Sequence, residues 1–270
     1  MYYKIFKPSP GLSHLVHFFW IYESDTPASA VTPIRVVPNG SPNMVFHYGE
    51  RTLHFLDGNK QPAILLSGQD NQYYDVVSGG SEKFVFVLLN PTAGCFFNFP
   101  FSDITGKNIA LDDVMPFDKT ISEALAEEPD YQKKINLVED FLSKFCLTGN
   151  IDSSLRYNRL NASLSVINSH CGIVGVDSLS DAACLSYKQF DRVFLSNIGI
   201  HPKMFLQIVR LQYAFKLLSE RPSIDIQDLA FLCGFYDVPH FSKIFKQLTG
   251  YSPAKAKKEC NLESDYFLTA

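Results

Sequence analysis

The sequence predicts an α+β multidomain chain: a β-barrel or sandwich on the N-terminal side, then an all-helical C-terminal domain that carries a helix-turn-helix unit twice. Three observations predict it. Between Ile34 and Asn90, short β-branched and aromatic runs alternate with turn residues. From Leu160 onward the apolar residues recur at helical spacing. LSDAACLSYKQFDRVFLSNIGIHP (179–202) shares its pattern with LAFLCGFYDVPHFSKIFKQLTGYSP (229–253), where Phe190, Phe194, Gly199 and Pro202 correspond at one offset to Phe241, Phe245, Gly250 and Pro253.

The strand-like runs are IRVVPNG, NMVFHYG, TLHFLDG, AILLSG, YYDVVSGG and KFVFVLLN, with Asn39-Gly40, Asp57-Gly58 and Gly79-Gly80 supplying the positive φ of tight turns. Val138, Phe141, Leu142 and Phe145 then fall on one face of a helix that Thr148-Gly149-Asn150 is expected to end. Polar residues Asp152 to Asn158 read as a linker, and Leu160, Leu164 and Ile167 form the next apolar stripe. In the second repeat Ile226, Leu229, Ala230 and Cys233 give one helix its apolar face, and Gly234 stops it. Asp237 caps the next helix, with Pro239 in its first turn. That helix is expected to bury Phe241, Ile244, Phe245 and Leu248 and to offer His240, Ser242, Lys243 and Lys246 outward, toward base edges and phosphates.

The 270 residues suit two domains, and 46% hydrophobic with 19% charged residues is a globular composition. The net charge of −4 divides unevenly. Residues 1–155 hold 18 acidic and 11 basic groups, net −7; residues 156–258 hold 7 and 13, net +6; residues 259–270 hold 3 acidic groups and no basic one. A basic block of this size suits a phosphate-binding module. The first residues lack a secretory pattern and the most apolar run, FVFVLLN, is too short to span a bilayer, so a cytoplasmic protein without membrane contact is expected. Cys95, Cys146, Cys171, Cys184, Cys233 and Cys260 show no metal-ligand spacing and are read mostly as small core residues.

The C-terminal hundred residues resemble the AraC/XylS-type DNA-binding domain, through LSYKQFDRVFLSNIGIHPKMF (185–205), RLQYAFKLL (210–218), IQDLAFLCGF (226–235) and HFSKIFKQLTGYSP (240–253). The resemblance implies two helix-turn-helix units joined by a long helix, with double-stranded DNA read in the major groove. It places Lys188, Asp191 and Arg192 of the first unit, and Val238, Pro239, His240, Ser242 and Lys243 of the second, toward the groove, with Lys246 on phosphate. Asp191, the apolar Val238-Pro239 start, Ser180 in place of an alanine and Cys184 in place of a turn glycine depart from the family pattern.

The N-terminal part, through IFKPSPGLSHLVHFFWIYES, VVPNGSPNMVFHYG, Gly68-Gln69 and FVLLNPTAGCFF, is similar to an uncharacterised domain that accompanies this module in bacterial regulators. That similarity implies a cupin-like β-barrel that senses a small-molecule effector, or a dimerisation unit. His14, His17, His47 and His54 lack ligand spacing, so no metal and no cofactor is expected, and no catalytic motif occurs. The expected divisions are a β-rich sensing domain (1–120), a helical connector open to dimerisation (121–158), the DNA-binding domain (159–258) and an acidic tail (259–270). The expectation is a sequence-specific transcription regulator, not an enzyme, acting as a homodimer and meeting RNA polymerase if it activates. The alternative is a small-molecule-binding or dimerisation protein with weakened DNA affinity.

Overall fold

The computed structural model describes residues 2–25, 33–49, 54–55, 58–77, 81–114, 116–117, 120–146 and 151–259. The N-terminal part is sheet-rich. Strands β1 (Tyr2–Phe6), β2 (Val16–Asp25), β3 (Ile34–Val36), β4 (Asn43–His47), β5 (His54–Phe55), β6 (Ile64–Ser67), β7 (Tyr74–Val77), β8 (Ser81–Leu89) and β9 (Asn108–Ala110) pair antiparallel throughout. They form a six-stranded sheet, β1-β2-β8-β4-β6-β9, and a three-stranded sheet, β3-β7-β5.

The large sheet is apolar on both faces. Side chains alternate along a strand, so Phe19, Ile21, Met44, Phe46, Val85 and Val87 enter one core while Val45, Leu65 and Phe84 form a second cluster with Tyr22 and Phe86. Trp20 meets Phe84 and Phe86 edge-on on that second face. The first face is covered by α1 (Ile121–Glu127) and α2 (Tyr131–Cys146), through Leu125, Ile135, Val138 and Leu142. These helices, expected in a connector over 121–158, therefore complete the sheet's own core. Their apolar stripe has a partner in the same part of the chain.

The C-terminal part is all helix: α3 (Ile151–Ser169), α4 (Val176–Ala182), α5 (Tyr187–Ile198), α6 (Pro202–Glu220), α7 (Ile226–Leu232), α8 (Val238–Thr249) and α9 (Pro253–Glu259). One core joins them, with Phe190, Phe194, Phe205, Phe215, Phe241 and Phe245 fully buried. The expected linker Asp152 to Asn158 lies in the first turns of α3, so the division expected at 158/159 falls inside a helix. Its polar residues mark a helix lying between the two parts: Tyr157 packs on Phe96 of the sheet-rich part, and Leu160 enters the helical core. The turn at 148–150, Gly79-Gly80 and the tail from Cys260 lie outside the described residues.

The cysteines correct a second expectation. Cys95 and Cys233 are buried, whereas Cys184 is exposed and Cys171 half-buried, and both of these adopt positive φ at turns. Among the described residues no helix is long and apolar enough to cross a membrane.

Candidate nucleic-acid interface

The two repeats share their local chemistry on either side of the turn. α4 and α7 bury Leu179 and Leu229 at matched places and end at left-handed residues, Cys184 with φ 51° and Gly234 with φ 74°. Ser186 then caps α5, with Gln189 Oε1 accepting from its backbone N–H at 3.2 Å and its hydroxyl at 2.8 Å. Asp237 caps α8 by accepting from the His240 N–H at 2.7 Å. Both second helices end at a left-handed glycine, Gly199 and Gly250, and each is followed by a proline opening the next helix. The second turn is one residue longer than the first. The additional residue is Tyr236, which is 95% exposed.

The outward face of each second helix follows from what it buries. In α8, with Phe241, Phe245 and Leu248 inside, the exposed Pro239, Lys243 and Lys246 share one stripe at spacings of four and three residues. His240 and Ser242 sit on opposite flanks of that stripe, and His240 packs against the buried Phe235 with ring centroids 5.5 Å apart. In α5 the matched stripe holds Lys188 and Arg192, both exposed, with Leu195 where α8 has Lys246. Asp191 does not join it. It lies half-buried on the flank, with its carboxylate 2.9 Å from His201 Nδ1 at the start of α6. Asp191, expected toward the groove, thus also pairs with a group of its own chain. Sequence reasoning missed Tyr236, although the one-residue difference between the turns could have exposed it.

The family's departures have local explanations. Ser180 replaces an alanine but is 5% exposed and returns its hydroxyl to Asp177 O at 2.8 Å, so its polarity is satisfied within one helical turn. Cys184 carries the turn that glycine would make without strain.

Parts of the chain are similar to known proteins. The DNA-binding domain of AdpA, solved in complex with a target DNA, is 28% identical and covers 37% of this chain and 90% of that one, with a TM-score of 0.35. ToxT from Vibrio cholerae is 12% identical and covers 84% of this chain and 97% of its own, with a TM-score of 0.46. The HTH-type transcriptional activator RhaS of Escherichia coli is 32% identical over 113 residues, which are 42% of this chain and 40% of RhaS. The chain thus matches less than half the length of such curated relatives. Residues 4–110 match a domain of unknown function (DUF6597), and residues 179–259 match a helix-turn-helix domain.

Residues 179–259 are an AraC/XylS-type helix-turn-helix domain.

The AraC/XylS-type domain meets the sheet-rich part along two short 3-10 helices, Pro91–Phe96 and Phe101–Ile104, which pack on α3 and α5. Gly94 is required there, because a Cβ would overlap the Asn197 carbonyl of α5. Beside this contact lies a cleft of about 280 Å³, where Ser13, His17 and Asn90 face Tyr157, Asn161 and Asn168 of α3. Its described lining contains no Asp, Glu, Lys or Arg. Burial holds His17 below the usual histidine range, against a hydrogen bond with Asn90, so the cleft is neutral at pH 7. The other histidines have local roles: His14 sits edge-on to Phe96, and buried His47 donates from Nε2 to Gln61 Oε1 at 3.0 Å.

Proposed function

We propose that this chain is a sequence-specific DNA-binding transcription regulator whose sheet-rich part senses a small molecule. The observation that carries the reading is the matched stripe on α5 and α8, Lys188 with Arg192 and Pro239 with Lys243 and Lys246, exposed within an AraC/XylS-type domain. Arg192 and Lys243 stand at the same place in the two repeats and can reach guanine edges or phosphates; Lys188 and Lys246 neutralise phosphate. His240 and Ser242 touch the edges of the same footprint, and the Tyr236 hydroxyl adds a phosphate donor at its rim. The 19 residues of α6 would hold the two readers so that they enter successive turns of the major groove, about 34 Å apart.

The sheet-rich part is read as a cupin-like domain that also supports a homodimer, and the neutral cleft against α3 suits an uncharged, hydrogen-bonding effector. If the protein activates, RNA polymerase is its further partner. The expected domains are the sensing part (1–120), a helical connector open to dimerisation (121–158), the AraC/XylS-type reader (159–258) and an acidic tail (259–270). RhaS is named as a transcriptional activator, which is compatible with this scheme.

The test is fluorescence anisotropy of the full chain on duplexes enriched from a randomised double-stranded pool. Log affinity should fall with log salt by about 0.9 per neutralised phosphate. Lys243→Ala and Arg192→Ala should each weaken binding and reduce that slope by about 1 where the contact is to phosphate, or relax specificity where it is to a base. Salt-independent binding, or two variants with unchanged affinity, would contradict the assignment and favour a sensing or dimerisation protein with weakened DNA affinity.

A further inference from the structure

The matched glycines that end the two outward helices are both covered by the sheet-rich part. At Gly199 the neighbours are Phe101 and Thr105: a Cβ there would lie 3.1 Å from Phe101 O and 3.3 Å from Thr105 Oγ1, and the Thr105 hydroxyl donates to Gly199 O. At Gly250 they are Arg35 and Tyr73: a Cβ would lie 2.5 Å from Arg35 Nη1 and 2.7 Å from Tyr73 Cζ. The same point of the repeat is therefore held twice, by unrelated pieces of the N-terminal part. A third bond ties in the helix between them, as Gln212 Nε2 of α6 donates to Pro38 O at 2.7 Å.

The Arg35 contact is built for orientation. Arg35 and Asp75 are directly paired across β3 and β7, and Asp75 accepts from Nε and Nη2 at 2.8 Å each. This two-point fork fixes the guanidinium plane. Its Nη1 donates to Thr249 O, the last carbonyl of α8, at 3.3 Å. The guanidinium also stacks between Tyr73 at 4.3 Å and Tyr251 at 4.4 Å, one ring from each part of the chain. A cation at a helix C-terminus complements the backbone dipole, and aromatic faces add to the attraction. Thr249 is fully buried and closes the far side by donating its hydroxyl to Phe245 O at 2.8 Å.

We propose that Arg35 and Thr105 are positioning residues for DNA recognition: by gripping the matched ends of α5 and α8, the sheet-rich part sets the spacing between the two reading faces. The inference rests on the DNA-reading function proposed above. Its consequence is that spacing selectivity belongs to the whole chain. The grip leaves Lys188, Arg192, Lys243 and Lys246 exposed, so it orients the readers without covering them.

The experiment uses the full chain, Arg35→Ala, Arg35→Lys and Thr105→Val, with two readouts. In hydrogen exchange, Arg35→Ala should speed exchange over 245–253 by about tenfold and leave 187–196 unchanged, because local opening is governed by local contacts. Arg35→Lys keeps the charge but loses the fork, and should fall between. Thr105→Val should affect 194–201 instead. In binding, duplexes enriched from a randomised pool are compared at their selected spacing and with one base pair inserted between half-sites. The wild type should discriminate by about tenfold, the scale of a single unsuitable base step, and Arg35→Ala should discriminate less than half as well. A purely structural role would weaken both duplexes equally, and that result overturns the proposal. So does unchanged exchange over 245–253. A pool that yields no enriched duplex overturns the DNA-reading function and spacing selectivity with it, while the exchange data separately decide whether the grip exists.

Discussion

Single residues carry strain and charge that solution experiments can read. Cys184 sits at φ 51°, a conformation that costs a residue with a Cβ about 1–2 kcal/mol. Glycine there would cost about 0.5–1 kcal/mol through the freer unfolded chain, so Cys184→Gly should stabilise the protein by about 0.5 kcal/mol. A urea midpoint that stays or falls contradicts this. His47 is 3% exposed, and burial lowers its pKa to about 4, partly opposed by its hydrogen bond with Gln61. The unfolded chain takes up a proton near pH 6.5 that the folded form refuses until about pH 4. Stability is therefore lost as pH falls through that window, by up to about 3 kcal/mol. His47→Gln should flatten this part of the stability profile in urea titrations, and an unchanged slope between pH 4 and 6.5 would refute it.

Which residues were legible follows from the range of their contacts. Phe190, Phe194, Phe241 and Phe245 announce themselves by spacing within one helix, and Lys188, Arg192, Lys243 and Lys246 by standing opposite them. Arg35, Thr105 and Gln212 do not, because their partners Thr249, Gly199 and Pro38 are 214, 94 and 174 residues away. The pairing of Asp191 with His201 at the start of the next helix was hidden for the same reason on a smaller scale.

Among elements, the turn and cap chemistry of the repeats was readable, because Asp237, Pro239, Gly234 and Gly250 each act on their own neighbours. β2, from Val16 to Asp25, was not read as a strand. Its VHFFWIYESD run lacks polar alternation because both of its faces are covered. The polar start of α3 was read as a linker, since its solvent-facing residues conceal a helix whose apolar residues enter the helical core. The second repeat should be the sharper test of element packing. Phe245 is 1% exposed and its ring meets those of Phe215 and Phe241, so Phe245→Ala should destabilise by about 3–5 kcal/mol. Hydrogen exchange should show the loss over α7 to α9, with β4 and β8 unaffected; uniform loss throughout the chain would mean that the two cores unfold as one.

At the scale of the molecule, the acidic total conceals a division of labour. Under the proposed function, net −7 over residues 1–155 would keep the sheet-rich part off a polyanion, whereas net +6 over 156–258 would draw the helical part toward it. Field and geometry then agree, since the matched helices turn their basic stripes outward while the sheet-rich part touches their C-terminal ends. The most direct test is hydroxyl-radical footprinting of the full chain on an enriched duplex. Two protected segments per bound protomer, about ten base pairs apart on one face of the DNA, are predicted. One protected segment shorter than a single turn would contradict paired reading.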